Sequence, residues 1–216
     1  SDSANINTSK VNAQNQWRAS MNQWQQAESY QFGPVADGGT SSIRNRIYSW
    51  PSVSSCFIDG GVVSFEKDSL DFSVENQSPR RIGLDGLEYL LFSSSLDHTC
   101  STNTTTNSED GTAWNDRLGS ERQLARCNYA KVLAEDLVTQ TTGLLADWQN
   151  GDNSYLNQLA TAGKGSSRYS SVKDALNEVS DAMFYLESEV KDNKVALPAG
   201  INAECAEASC PEQVES

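Results

Sequence analysis

Histidine is nearly absent from this chain of 216 residues, which contains one, His98. A single histidine does not make a zinc-ligand cluster, and without a neighbouring nucleophile it cannot complete a catalytic triad. No two cysteines have the C-x-x-C spacing of metal or redox motifs. The G-x-S-x-G, phosphate-loop, dinucleotide and H-E-x-x-H motifs are missing too. The sequence therefore has no complete catalytic motif.

Long apolar segments and positive charge are also scarce. No segment approaches the roughly 20 apolar residues that span a bilayer. No signal peptide is visible, so we expect a mature or trimmed form that is cut at both ends. The chain has 16 Lys and Arg against 29 Asp and Glu, a formal net charge of −13. Such a surface repels nucleic-acid phosphates and anionic lipid, so neither is an expected partner.

The cysteines indicate an oxidising compartment. Cys205 and Cys210 stand in a polar C-terminal tail, residues 198–216, where buried free thiols make little sense. A local disulfide between them is the natural interpretation, and disulfides persist in exported proteins. We therefore expect a secreted protein.

The other three cysteines leave one unpaired. Cys100 and Cys127 flank a stretch rich in Thr, Asn and Ser, which we interpret as a polar surface insertion over residues 100–116. A disulfide between these two cysteines would close the loop. Cys56 is then either a buried thiol or the partner of a cysteine outside this chain.

The apolar pattern predicts an all-α fold, an up-and-down helix bundle. Strand-like alternation with hairpin turns is absent, and apolar residues recur instead at helical spacing. The main predicted helices cover residues 9–32, 80–92, 118–149 and 170–194.

The last predicted helix has the most regular pattern. Its apolar residues follow a 4-3-4-3-4 spacing, which predicts the buried seam of a bundle helix. These residues are Val172, Leu176, Val179, Met183, Leu186 and Val190. Weaker helical patterns occur over residues 62–75 and 154–162.

Residues 80–92 combine apolar side chains with two carboxylates. Asp85 and Glu88 stand at i and i+3, on one face of the predicted helix. Gly83 and Gly86 each cost about 1 kcal/mol relative to alanine in a helix, so they indicate close approach of another backbone or of a ligand. A helix N-terminus that favours Asp and packs tightly explains the same residues. Both interpretations stay open here.

This segment resembles the signature helix of the imelysin-like proteins, in the run Gly83-Leu84-Asp85-Gly86-Leu87-Glu88-Tyr89-Leu90-Leu91-Phe92. Three other stretches are similar to the same family, and with them the resemblance covers most of residues 15–216. They are Trp17-Arg18 through Gln31-Phe32-Gly33-Pro34, Tyr48-Ser49-Trp50-Pro51, and Phe184-Tyr185-Leu186 through Lys191-Asp192.

The resemblance implies a bacterial protein of the periplasm or outer membrane, often a lipoprotein, that is associated with iron uptake. It implies two similar four-helix bundles with a site at their interface. Residues 1–216 would then be an imelysin-like helical domain that is incomplete at both ends. Any attachment to a membrane would use a lipid anchor outside this chain.

The chain departs from the family at one important position. The family was first classed as metallopeptidases because of a G-x-H-x-x-E motif. Here Asp85 occupies the histidine position, while Gly83 and Glu88 match. A zinc peptidase needs several ligands and a base, and a neutral imidazole is the usual first ligand. Asp85 and Glu88 can still offer oxygen ligands to a hard cation such as Ca²⁺ or Fe³⁺.

Two functions are consistent with the resemblance. The first is a non-enzymatic binding protein of the cell envelope, linked to iron acquisition through a small ligand, a metal or a partner protein. The second is a zinc metallopeptidase, and the missing histidine favours the first. Residues expected to line the binding site are Asp85, Glu88, Gly83, Trp50, Arg44 and Arg46.

A third option is a eukaryotic secreted glycoprotein. It rests on three N-x-S/T triplets, at Asn7, Asn76 and Asn103. Such triplets arise by chance in chains rich in Asn, Ser and Thr, and the family resemblance outweighs them.

We further expect Asp85 and Glu88 to face a polar crevice, with the Trp50 turn folded back over their helix.

Overall fold

The computed structural model describes residues 2–36, 42–50, 52–68, 70–98, 100, 101, 106–196, 199 and 201, with side chains from residue 7 onward. Throughout these residues the chain forms helices, turns and loops and no β-strand. The predicted all-α fold is therefore confirmed. No helix in the described ranges is long and apolar enough to cross a membrane.

The described residues form seven α-helices, a π-helix and short 3-10 turns. The α-helices are α1 (Asp2–Glu28), α2 (Ile43–Ile47), α3 (Ser55–Lys67), α4 (Gly83–Phe92), α5 (Gly119–Gln149), α6 (Tyr155–Ala160) and α7 (Val172–Asp181). The π-helix, Leu186–Ala196, follows α7. The 3-10 turns are Gly33–Val35, Val74–Asn76, Pro79–Arg81 and Trp114–Asp116.

The chain divides into two compact units. The first contains Ser1–Gln23 and Thr40–Thr142, and the second contains Trp24–Gly39 and Gly143–Ser216. Helices α1 and α5 each contribute residues to both units.

The core of the first unit is built from α1, the segment around α2, and helices α3, α4 and α5. Trp17 fixes α1 against α4, because its indole nitrogen donates a hydrogen bond to the carbonyl oxygen of Leu84 at 2.8 Å. The fully buried apolar side chains of this core include Ile47, Tyr48, Ile58, Val62, Ile82, Tyr129 and Leu133.

The predicted helices correspond to observed ones, with differences at their ends. The pattern over 80–92 becomes α4, which begins only at Gly83 because Pro79–Arg81 forms a separate 3-10 turn. The weak pattern over 62–75 corresponds to α3, which begins seven residues earlier, at Ser55. The segment predicted as one helix over 170–194 is divided into α7 and the π-helix.

The buried seam predicted for the last helix is wrong. The side chains of Val172, Leu176, Val179, Met183 and Leu186 are between 36% and 66% exposed. The face of α7 that packs inward carries Ala175, and Ala182 just beyond the helix end is buried as well. In the core of the second unit, Ala175 packs with Tyr155, Ala162 and Tyr169, against Phe32, Trp148 and Leu159.

The predicted disulfide between Cys100 and Cys127 is also wrong. Cys100 is bonded to Cys56, at the start of α3, whereas Cys127 is a free thiol on an exposed face of α5. Near the end of residues 100–116, the segment interpreted as a surface insertion, one large aromatic side chain is buried. Trp114 is fully buried there, and its indole nitrogen donates to the carbonyl oxygen of Leu96 at 2.7 Å. Cys205 and Cys210, the other predicted pair, lie outside the described residues.

Candidate functional site

The first half of α4 lies against the backbone of neighbouring segments, which explains its two glycines. Gly83 has a φ of 79°, where glycine is favoured, and a Cβ atom there would lie 2.7 Å from the carbonyl oxygen of Ile47. A Cβ atom at Gly86 would lie 2.9 Å from Leu133 Cδ1 and 3.2 Å from the Arg81 carbonyl oxygen. Close backbone approach, one of the interpretations left open by the sequence, accounts for both positions.

The carboxylate of Asp85 holds the turn at residues 48–50 against α4. Asp85 is 3% exposed, and its Oδ2 accepts hydrogen bonds from the backbone nitrogen of Ser49 at 2.6 Å and from Ser49 Oγ at 3.2 Å. Tyr48 and Trp50, on either side of Ser49, are buried as well. The expected turn therefore lies over the helix, and Ser49 compensates the buried carboxylate. The sequence pattern did not single out Ser49.

Glu88 and Arg44 belong to the same region of the first unit and are half-buried. Glu88 follows Asp85 by about one turn of α4. Arg44, on α2, donates from Nη2 to the carbonyl oxygen of Trp50 at 3.5 Å. The structure therefore places Arg44 and Asp85 at the same turn, one at Trp50 and the other at Ser49.

The side chain of Arg46 contacts a different part of the first unit. Its guanidinium donates to the carbonyl oxygens of Val74 and Glu75, at 3.2 Å each. It also lies 3.7 Å from a carboxylate oxygen of Asp136 on α5. These contacts connect α2 to the Val74–Asn76 turn and to α5, away from Ser49 and Asp85.

In the part of the chain that the structure describes, the donor atoms do not form the ligand set of a peptidase-type zinc centre. No three His, Cys, Asp or Glu side chains come together as metal ligands anywhere in the described ranges. Asp85, at the histidine position of the motif, already accepts two hydrogen bonds from Ser49. The Nδ1 atom of His98 accepts a hydrogen bond from the backbone nitrogen of Cys100 at 3.0 Å. Binding of a hard cation by Asp85 and Glu88 stays a prediction.

Sequence reasoning missed a buried ionic network that joins α3, α4 and α5. Asp59 is fully buried, and Arg126 lies 2.9 Å from its carboxylate with 4% of its side chain exposed. The hydroxyl of Tyr89 donates to Asp59 Oδ2 at 2.6 Å and accepts from Arg126 Nη2 at 2.8 Å. A lone Asp within the apolar run of α3 was the available signal, because a buried carboxylate needs a partner.

Burial and hydrogen bonding act against each other on the acidic groups of this network. Desolvation raises the pKa of Asp59, and the Tyr89 hydrogen bond and the Arg126 charge only partly offset it. Desolvation and the neighbouring Asp59 carboxylate also raise the pKa of Tyr89. The three side chains contact one another, so the network joins helices α3, α4 and α5.

A second polar cluster, in the second unit, is centred on Glu178. Its carboxylate accepts hydrogen bonds from Tyr169 at 2.6 Å, Tyr155 at 2.9 Å, Arg168 at 3.0 Å and the backbone nitrogen of Gly33 at 3.1 Å. Desolvation opposes ionisation, but these hydrogen bonds outweigh it and lower the pKa of Glu178 to about 2. An open cleft of about 740 Å³, lined in part by Tyr155 and Arg168, lies beside the cluster.

The Imelysin family model (Peptidase_M75) matches residues 3–216. The chain is also 25% identical, over 188 residues, to a protein of Synechococcus elongatus named "Iron-regulated protein A". That alignment covers 86% of this chain and 42% of the relative, so the chain spans less than half of the relative's length. No solved structure matches the chain.

Proposed function

The chain belongs to the imelysin family, and on that basis we propose that it is a non-enzymatic binding protein associated with iron acquisition at the bacterial cell envelope. The observation that carries the proposal is the family match over almost the whole chain. The name of the relative, "Iron-regulated protein A", supports the connection with iron.

The contacts of Asp85 favour binding over peptidase chemistry. A catalytic zinc ion needs about three protein ligands and an open coordination position. Asp85 stands where the family motif has histidine, and its Oδ2 atom holds the backbone and hydroxyl of Ser49. Coordination of a metal by that oxygen would displace at least one of these hydrogen bonds in a buried place, at a cost of about 1–3 kcal/mol for a group left unsatisfied.

We assign different roles to the predicted binding residues according to their burial. Glu88 and Arg44 are half-buried, so a ligand or partner can contact them. Asp85, Trp50 and Gly83 are buried, so they support from below the surface that Glu88 and Arg44 form. The ligand of this surface is a metal ion, a small molecule or a partner protein of iron acquisition.

The disulfide supports an extracytoplasmic location. Cys56 and Cys100 are bonded, and such bonds persist in the periplasm and at cell surfaces but are rare in the cytosol. We therefore propose the periplasm or the outer membrane, as for the family.

Iron dependence of the protein's abundance tests the proposal. We expect the protein to become more abundant in its host when iron is depleted, by quantitative immunoblotting against a protein that does not respond to iron. Unchanged abundance would contradict the link to iron. Elemental analysis of protein purified without chelators then distinguishes a metal ligand from a small molecule or a partner protein, because stoichiometric iron or calcium indicates a metal site.

A further inference from the structure

Arg80 and Arg81, just before α4, are two adjacent cations that have no acidic partner among the residues that the structure describes. The chain has 29 Asp and Glu against 16 Lys and Arg, so acidic partners are plentiful. Neither guanidinium nevertheless forms an ion pair in the part of the chain that the structure describes. Other arginines of the first unit do have carboxylate partners: Arg46, Arg117, Arg122 and Arg126.

Both arginines are held instead by one aromatic ring and by uncharged oxygen atoms. The guanidinium carbons of Arg80 and Arg81 lie 4.4 Å and 5.8 Å from the centre of the Phe57 ring. Arg80 Nε donates to the carbonyl oxygen of Ser52 at 2.8 Å, and Arg81 Nη1 donates to Gln77 Oε1 at 3.3 Å. Cation–π contacts of this kind fix the position of a guanidinium without neutralising its charge. Each of these hydrogen bonds uses one nitrogen of the guanidinium, and Arg80 is exposed while Arg81 is half-buried.

The backbone beneath the two side chains is fixed as well. Pro79 begins the 3-10 turn, and the Oγ of Ser78 caps it by accepting a hydrogen bond from the backbone nitrogen of Arg80. The hydroxyl of Tyr129, on α5, donates to the carbonyl oxygen of Arg81 at 3.2 Å. A site fixed before binding loses less entropy when it takes a ligand.

The two sequence segments that meet at the Phe57 ring contain arginines and no acidic residue, although the protein as a whole is acidic. No acidic residue occurs in residues 42–58 or in residues 77–84, the two segments that meet at the Phe57 ring. Arg80 is exposed, and 36% of Phe57 is exposed, so the surface is accessible. A local positive patch on a negative protein attracts small anions rather than extended polyanions, which the rest of the surface repels.

We propose that Arg80, Arg81 and Phe57 form a recognition surface for a small organic anion that carries at least two carboxylates. Each guanidinium presents a planar fork that matches a carboxylate. The two guanidinium carbons are at most 10.2 Å apart, since they lie 4.4 Å and 5.8 Å from one ring centre, and the proposed ligand must contact both. The ring adds a contact for the carbon skeleton that inorganic phosphate lacks. The identity of this anion rests on the proposed function. For a protein of iron acquisition, the ligand is an anionic complex of iron with a polycarboxylate.

Calorimetric titration of the full chain tests this surface with citrate, ferric citrate and inorganic phosphate as probes. We expect citrate to bind more tightly than phosphate, and Arg80→Gln and Arg81→Gln each to weaken binding by about tenfold or more, as for the loss of a hydrogen bond between charged groups. Arg18→Gln is the matched control. Arg18 also lies over an aromatic ring, 4.8 Å from the centre of Phe92, but it has no second arginine next to it in the sequence. The control should bind citrate like the wild-type chain.

Arg80→Lys distinguishes loss of the guanidinium from loss of the fold. It keeps the positive charge and the aliphatic part of the side chain but removes the planar guanidinium. It should also weaken citrate binding, with an unchanged near-ultraviolet circular dichroism spectrum. Three results would overturn the inference: no citrate binding by the wild-type chain, tighter binding of phosphate than of citrate, or Gln variants that both bind citrate as tightly as the wild-type chain does. Such a result would leave the iron dependence of abundance unaffected, so the two proposals fail separately.

Discussion

Asp85→Ala is the substitution whose effect the structure defines most closely. It removes a carboxylate that accepts two hydrogen bonds from Ser49, a residue only 4% exposed. A hydrogen bond to a charged group contributes about 1.5–3 kcal/mol, and an unsatisfied buried donor costs about 1–3 kcal/mol. These two energies overlap, because loss of the hydrogen bond is the same event that leaves the Ser49 N–H group unsatisfied. We therefore expect the free energy of unfolding to fall by about 2–4 kcal/mol.

Urea unfolding followed by circular dichroism measures this loss, and two variants serve as controls. Asp85→Asn keeps an acceptor oxygen for the Ser49 amide, so it should lose less stability than Asp85→Ala. Glu88→Ala, on the same helix but half-buried, should cost at most about 1 kcal/mol. If Asp85→Ala is within about 0.5 kcal/mol of wild type while Glu88→Ala costs more, Asp85 does not anchor the turn.

Three further predictions concern the buried groups and the cysteines. Asp59→Asn or Arg126→Met alone should cost about 3–5 kcal/mol, and the double variant less than the sum of the two, in a double-mutant cycle of urea unfolding. Peptide mapping without reduction should recover the Cys56–Cys100 linkage, with Cys127 alkylated; a linkage to Cys127 would contradict the structure. Because the pKa of Glu178 falls from its usual 4.5 to about 2, its contribution to stability is present above pH 4.5 and lost as the pH falls towards 2. Thermal unfolding of Glu178→Gln should therefore depend less on pH over that interval, and an unchanged slope would refute the assignment.

The main helices could be predicted because their signals are local. Apolar residues at helical spacing locate α1, α4 and α5, although α1 begins at Asp2 and ends at Glu28, four residues before the predicted end at residue 32. The failure at α7 shows the limit of such a pattern. Spacing identifies an apolar stripe, but it does not identify the surface that covers it, and Ala175 rather than Leu176 is buried.

The candidate site was predictable only in part, because its interactions join residues far apart in sequence. The motif singled out Asp85, but its partner Ser49 lies 36 residues away and has no signal of its own. Asp59 and Arg126 are 67 residues apart. The cysteine pairing failed for the same reason, since spacing along the chain does not give distance in space.

Our proposal is that this chain binds a ligand or a partner and does not cleave peptides. Its most direct test is incubation of the purified protein with an unfolded substrate such as casein, with added Zn²⁺ and with a chelator. We expect no cleavage above that of a blank in either condition. Cleavage that the chelator stops and that Glu88→Ala abolishes would contradict the claim and restore the metallopeptidase interpretation.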